Sequence, residues 1–241
     1  MTEANASWKT ARTTGQWVKI MGTYAPALKK EFLGLVAASS RRGKCSEKLK
    51  HLIWVAGDSV VTHLYAPGAA LHAEEALDNG ATIGEVMDTL RIASLPLANG
   101  LKVGHSVLAA VLQEGRSGVA AEAEAAGFSP EFMRAYNTFA TSGTPGGLDE
   151  RSRCLITLSV MSCPAIADRE AIERSVREAL KLGIDPEQIL EVMELATLIG
   201  THAFASGLDR IAEALARHLA HETAGQNAGG KTDGGSGSRQ G

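Results

Sequence analysis

The chain has 241 residues, a net charge of −3, a pI near 6.2 and 21% charged residues, so neither nucleic acid nor an anionic membrane surface is expected as a partner. No uninterrupted apolar run of about 18 residues stands out, and the polar Met1–Lys19 lacks the short apolar core of a secretion signal. Three cysteines (Cys45, Cys154 and Cys163) without paired spacing fit a reducing cytosol, and a cytoplasmic location is expected.

Helical spacing begins at Gln16, with Trp17, Ile20 and Met21, and resumes after Pro26 with Leu28, Phe32, Leu35 and Val36. Ser46 reads as the N-cap of a helix carrying Leu49, Leu52, Ile53, Val55 and Ala56. A break over Thr62–Gly68, punctuated by Pro67, precedes a helix expected from about Ala69 to Asp78 that ends at Gly80. Thr82-Ile83-Gly84-Glu85 reads as a capping box for a helix through Val86, Met87, Leu90, Ile92 and Ala93. A helix over roughly Leu101–Gln113, a turn at Gly115–Gly118 and a short helix at Ala120–Ala126 follow. Phe132, Met133, Tyr136 and Phe139 then repeat the spacing of the early helix, before a Gly/Pro loop at Thr141–Gly147. The remaining helices are expected over Leu148–Ser162 and Asp168–Leu182, then, after a helix start at Asp185-Pro186-Glu187, through Met193 and through His218. No long alternation marks a strand, so the fold is expected to be all-α. His221–Gly241 is Gly/Ser-rich and polar, and reads as a disordered tail.

The chain also repeats itself. Displaced by 103 residues without a gap, Lys48–Gly104 falls on Arg151–Gly207: Leu52-Ile53 on Leu155-Ile156, Glu75-Ala76-Leu77 on Glu178-Ala179-Leu180, and Gly80 on Gly183. This predicts a first repeat over 16–113, a linker with the start of the second repeat over 114–147, the second repeat's core over 148–220, and the tail over 221–241. One copy alone would bury a modest core, so the halves are expected to pack on each other or on other subunits.

The repeated unit resembles the carboxymuconolactone decarboxylase and alkylhydroperoxidase-D-like family over roughly Tyr24–Leu219. The pattern is Leu52-Ile53, then His72 eight residues before Gly80, the cap Thr82–Glu85, and the turn Pro96-Leu97-Ala98-Asn99. The second half matches the decarboxylase style in Leu148-Asp149-Glu150-Arg151, Leu155-Ile156-Thr157-Leu158 and Arg210-Ile211-Ala212-Glu213. The resemblance implies two tandem copies of an alkylhydroperoxidase-D-like helical domain and, from family assembly, a homo-oligomer, specifically a trimer of the duplicated chain. The peroxidase branch carries a Cys-x-x-Cys pair ahead of the histidine. Those positions are Tyr65 and Gly68 here, and Asp168 and Ala171 in the second half, so dithiol chemistry is excluded and the thiol-free branch remains.

A decarboxylase of that branch needs neither a metal nor an organic cofactor. Hydrogen-bond donors around the developing oxyanion, a proton donor and a cationic group for the carboxylate suffice. The first half holds His51, His63, Tyr65, His72 and His105, where the second has Cys154, Ile166, Asp168, Ser175 and Leu208. The proton-transfer residues therefore sit in the amino-terminal half, and the other half reads as structural or as a wall of the site. His72, at the family position, is the first candidate catalytic residue; His63 and Tyr65, in the break between helices, are the next. Each also has an ordinary reading, as an interface histidine or as turn residues. Arg91 on an apolar face is either paired to an acid such as Asp88 or Glu194, or holds a substrate carboxylate. Asn99 is placed to orient an oxyanion, and His105 and His202 flank the equivalent turns; all three are candidate substrate-binding residues.

No metal ligand is expected, because the seven histidines form no His-x-x-x-His pair or His/Cys cluster. The reading is a cofactor-free lyase acting on a small unsaturated or lactone carboxylic acid. Two others stand beside it: a tautomerase, isomerase or cyclase on the same scaffold, and a non-catalytic oligomeric binding protein.

Overall fold

In the computed structural model the described residues are 16–96, 103–104, 106–108, 110–111, 129–208, 211–212, 214–215 and 217–218. All regular structure among them is helical. Asn99, His105, the expected helix at Ala120–Ala126 and the expected tail from 221 onward lie outside them, whereas the described members of 101–113 are helical as expected.

Two compact units divide the chain: residues 1–33 with 201–241, and residues 34–200. In the first, α1 (Gln16–Tyr24) and the start of α2 (Pro26–Ala38) join the helical residues 201–208. Trp17, Val18, Met21 and Ala205 bury together there, with Phe32 and Leu208 against them. The ring of Phe32 lies 5.2 Å from that of Trp17 and 5.8 Å from that of Phe204.

The larger unit holds α3 (Glu47–Ser59), α4 (Ala66–Asp78), α5 (Ile83–Ser94), α6 (Pro130–Thr141), α7 (Glu150–Ser162), α8 (Arg169–Lys181), α9 (Pro186–Thr197) and a 3-10 turn at Leu198–Gly200. Helices α7, α8 and α9 begin and end 103 residues after α3, α4 and α5. Positive backbone φ recurs in the same register, at Gly43 and Gly146, Leu64 and Ala167, and Gly80 and Gly183. Gly80 and Gly183 take the left-handed conformation just past α4 and α8, where a Cβ would be strained.

The helix starts follow from their caps. Ser46 accepts the Leu49 amide at 3.3 Å to open α3, and Asp149, its counterpart, accepts the Ser152 amide at 2.8 Å to open α7. Thr82 and Glu85 form the expected capping box of α5, with both reciprocal bonds at 2.8–2.9 Å. Helix α4 departs from expectation. It starts at Ala66, and Pro67 lies inside its first turn, where an amide has no helical acceptor and a proline ring meets no preceding turn. A second departure concerns α9. By length and composition Pro186–Leu208 is apolar enough to cross a membrane, yet 44% of its apolar window is buried and α9 turns Ile189, Val192, Leu195 and Ala196 inward as a core helix does.

Helices α3 and α7 form the centre. α3 packs against α4, α5, α7 and α9, and α7 against α5, α8 and α9. Leu52, Ile53, Val55 and Ala56 from α3 meet Leu155, Ile156, Leu158 and Val160 from α7 as the buried core, each large member contributing about 1.5–3 kcal/mol. Two buried carboxylates then tie each half to the approach of the other. Asp88 on α5 accepts the Leu148 amide at 3.1 Å and the Thr144 hydroxyl at 3.0 Å, on the loop that leads into α7. Its counterpart, Glu191 on α9, accepts the amides of Lys44 and Cys45 at 2.6 and 2.8 Å, on the loop that leads into α3. A Cβ on Gly147 would fall 2.3 Å from an Asp88 oxygen, so the loop reaches the carboxylate only as glycine.

Candidate active site

The α3–α4 hairpin sets the candidate site. Residues His51, Trp54 and Asp58 recur on one face of α3 at helical spacing, and Gly68, His72 and Glu75 do so on α4. All but Glu75 are buried. His72 is 3% exposed and His51 2%, and their Nδ1 atoms stand 3.2 Å apart. At that separation one imidazole donates and the other accepts, so the two rings share one proton position across the seam. Trp54 packs beside both, its ring 4.9 Å from that of His72 and 5.3 Å from that of His51. His72, the first candidate from the sequence, is buried against His51.

A second cluster lies at the end of the same seam. The chain turns tightly after α3, with the amides of His63 and Leu64 bonded to the Val60 carbonyl at 2.8 and 3.0 Å. Leu64 closes the turn at φ +47°, a backbone region that costs a branched residue energy. Tyr65 then donates its amide to the Asp58 carbonyl at 2.8 Å. This brings the His63 and Tyr65 rings to 5.9 Å and places His63 Nε2 3.6 Å from the buried Asp58 carboxylate. Gly68 makes room for that carboxylate: a Cβ there would fall 2.3 Å from Asp58 Oδ2 and 2.5 Å from the Tyr65 ring. His72, His63 and Tyr65 therefore share one helix hairpin, as two clusters joined by α3 and α4.

Asp58 was not among the residues expected from the sequence. Its signal was present, as an acid seven residues after His51 on an otherwise apolar helix face. Arg91 takes the paired alternative: its guanidinium donates to the Ala140 carbonyl and lies 3.4 Å from Asp88. Glu194, the other suggested partner, instead binds Arg42 at 2.9–3.0 Å. His202 is half-buried among the helical residues of the smaller unit. Asn99 and His105 are outside the described residues.

The thiols have a different character. Burial, followed by the Glu191 charge, pushes the Cys45 thiol up to about 12, and burial also raises Cys154 and Cys163. All three are neutral thiols near pH 7 and poor nucleophiles.

The second half differs at each ring position of this seam. Where α3 and α4 bring together His51, Trp54 and His72, α7 and α8 carry Cys154, Thr157 and Ser175, and these three line a partly open cavity of about 440 Å³. The half expected to be structural thus carries an open groove where the other packs rings.

Comparison with known proteins bears on the same architecture. The profile of the Carboxymuconolactone decarboxylase family matches residues 130–216, from α6 through α9 and beyond. The crystal structure of a protein from Burkholderia xenovorans, named as a candidate gamma-carboxymuconolactone decarboxylase subunit, is similar at a TM-score of 0.73 and 23% identity, over 85% of this chain and 92% of that one. No functionally curated protein matches the chain. The chain thus matches the family model over residues 130–216 and shares the all-helical fold of that structure.

Proposed function

We propose that the chain is a cofactor-free lyase that removes carbon dioxide from a small unsaturated or lactone carboxylic acid, with the chemistry in the α3–α4 hairpin. The observation that carries this reading is the buried Nδ1-to-Nδ1 contact between His51 and His72. A pair of imidazoles that shares one proton takes up and returns a proton with little rearrangement, which general acid catalysis requires. In the reaction the bond to the carboxylate carbon breaks and its electron pair moves into the conjugated carbonyl. Tyr65 and His63 donate to the resulting oxyanion. His72 then delivers a proton to carbon, and the pair regains it from solvent, so one proton is consumed for each carbon dioxide released. The common 103-residue offset of helices and left-handed turns supports two copies of one unit within the chain. A homo-oligomer, a trimer on the family's precedent, and a cytoplasmic location with reduced thiols complete the proposal.

One observation favours the isomerase or tautomerase alternative. The terminal nitrogens of Arg91 are engaged by the Ala140 carbonyl and Asp88, which weakens the case for it as a carboxylate clamp and does not touch the proton relay. Carbon dioxide release from a panel of lactone and enol acids, with product analysis in parallel, decides between them. Stoichiometric carbon dioxide supports the lyase. A product isomeric with its substrate replaces it with the alternative, and no turnover of any panel member removes both.

A further inference from the structure

We propose that the second half binds a small planar aromatic molecule in the cavity between α7 and α8, its ring lying where the first half places the indole of Trp54. The inference comes from reading the two hairpins in one register and does not rest on the first half being catalytic. Helices α3 and α4 have the lengths of α7 and α8, and the same glycine ends the second helix of each pair. What differs is volume. Trp54 becomes Thr157, His51 becomes Cys154 and His72 becomes Ser175, so three rings are replaced by three short side chains on an equivalent pair of helices. In the first half the indole packs beside two imidazoles; in the second the corresponding three positions border an open groove of about 440 Å³, within the range of small-molecule pockets.

The chemistry of the lining selects the ligand. Thr157 donates its hydroxyl to the Arg153 carbonyl at 2.8 Å, and Ser175 donates to the Ala171 carbonyl at 2.9 Å. The Cys154 thiol points to the Ser175 carbonyl at 3.5 Å and is held neutral by burial. With these hydrogens directed to backbone carbonyls of the two helices, the floor offers methyl, methylene and sulfur surface, which suits a ring face. The mouth carries one cation and one anion from each helix, Glu150 and Arg153 on α7 and Arg174 and Glu178 on α8. A balanced mouth of this kind gives no net attraction for a polyanion; it offers guanidinium planes to an aromatic face and carboxylates to a ring N–H. The ligand class is therefore an uncharged or zwitterionic aromatic of about the size of indole.

Indole itself is the probe. Titrated calorimetrically into the full chain, it should bind saturably with one site per chain, and Thr157→Trp, which supplies the first half's own filler, should weaken binding at least tenfold. Undiminished binding to a folded Thr157→Trp protein would overturn the proposal, as would the absence of saturable binding to the wild type at the solubility limit of indole. Nuclear Overhauser contacts between bound indole and the Thr157 methyl of the wild-type chain provide a measurement independent of that variant's folding. Contacts only to other methyls would place the ring elsewhere and overturn the assignment.

Discussion

The hairpins α3–α4 and α7–α8 share helix lengths and left-handed turns and differ almost completely in what fills them. The first packs His51, Trp54 and His72 into a buried contact with an acid and two further polar rings at its end; the second leaves Cys154, Thr157 and Ser175 around a cavity. Helix lengths and left-handed turns thus set where a site can be, and three side chains decide whether the place holds packed rings or an open groove. The lesson is that attachment and seam filling are separate in the two matching halves: each holds the approach of the other by a buried carboxylate that lies outside the ring cluster and the groove.

The two carboxylates give the most severe way to break the comparison. Asp88→Ala removes the acceptor of the Leu148 amide and leaves the nearly buried Arg91 beside an empty space, which should cost about 3–5 kcal/mol in denaturant unfolding. Glu191→Ala releases the Lys44 and Cys45 amides and the buried Lys50, and should cost a similar amount. A loss below about 1 kcal/mol for either variant would mean that the halves are not held by these contacts.

Converting one seam toward the other sharpens the comparison. Trp54→Thr should cost about 3 kcal/mol, because the surrounding rings cannot close over the space the indole leaves. Thr157→Trp should cost nothing or stabilise, since it fills space already present. Equal losses for the two variants, read by urea melts, would show that the hairpins are not equivalent in shape.

A smaller difference lies in the caps. Asp149 opens α7 where Ser46 opens α3, and each replacement by alanine should cost about 1 kcal/mol at neutral pH. Only one of them titrates. The Ser152 amide holds the Asp149 carboxyl below its ordinary range, so its contribution is complete above the unfolded-state value near pH 4 and is lost as pH falls through the lower folded-state value. The difference in stability between wild type and Asp149→Ala should therefore shrink on acidification, while that for Ser46→Ala stays level. A level difference for both would refute the assigned cap.

The smallest expected effect is at the turn. Leu64 is exposed and sits at φ +47°, so Leu64→Gly should raise stability by roughly 0.5 kcal/mol once the added freedom of the unfolded glycine is set against the relieved backbone. A loss of stability would mean that the side chain of Leu64 makes contacts that outweigh its strain.

Much of the scaffold was legible in the sequence because its signals are local. Ser46, the Thr82–Glu85 box, Asp185 before Pro186, and the matched Gly80 and Gly183 each fix a helix end through a few neighbouring residues. Pro67 misled because proline punctuates a helix interior but is at home in a first turn. The site was legible only in part. His72, His63 and Tyr65 were marked by type and position, but the contact of His72 with His51 spans 21 residues and appears only when the hairpin closes. Asp58 and Glu191 read as ordinary polar positions on amphipathic helices and Asp88 only as an acid for Arg91, and burial is what makes them matter. The cavity was least legible, since Thr157, Cys154 and Ser175 carry no chemical signature and reveal it only by the volume they lack.

Turnover by His72→Ala, on whichever panel acid the wild type consumes, is the most direct test of a proton relay in the first hairpin. With folding verified by circular dichroism, kcat/KM should fall by about 10²–10⁴-fold. A rate equal to that of the wild type would contradict the account.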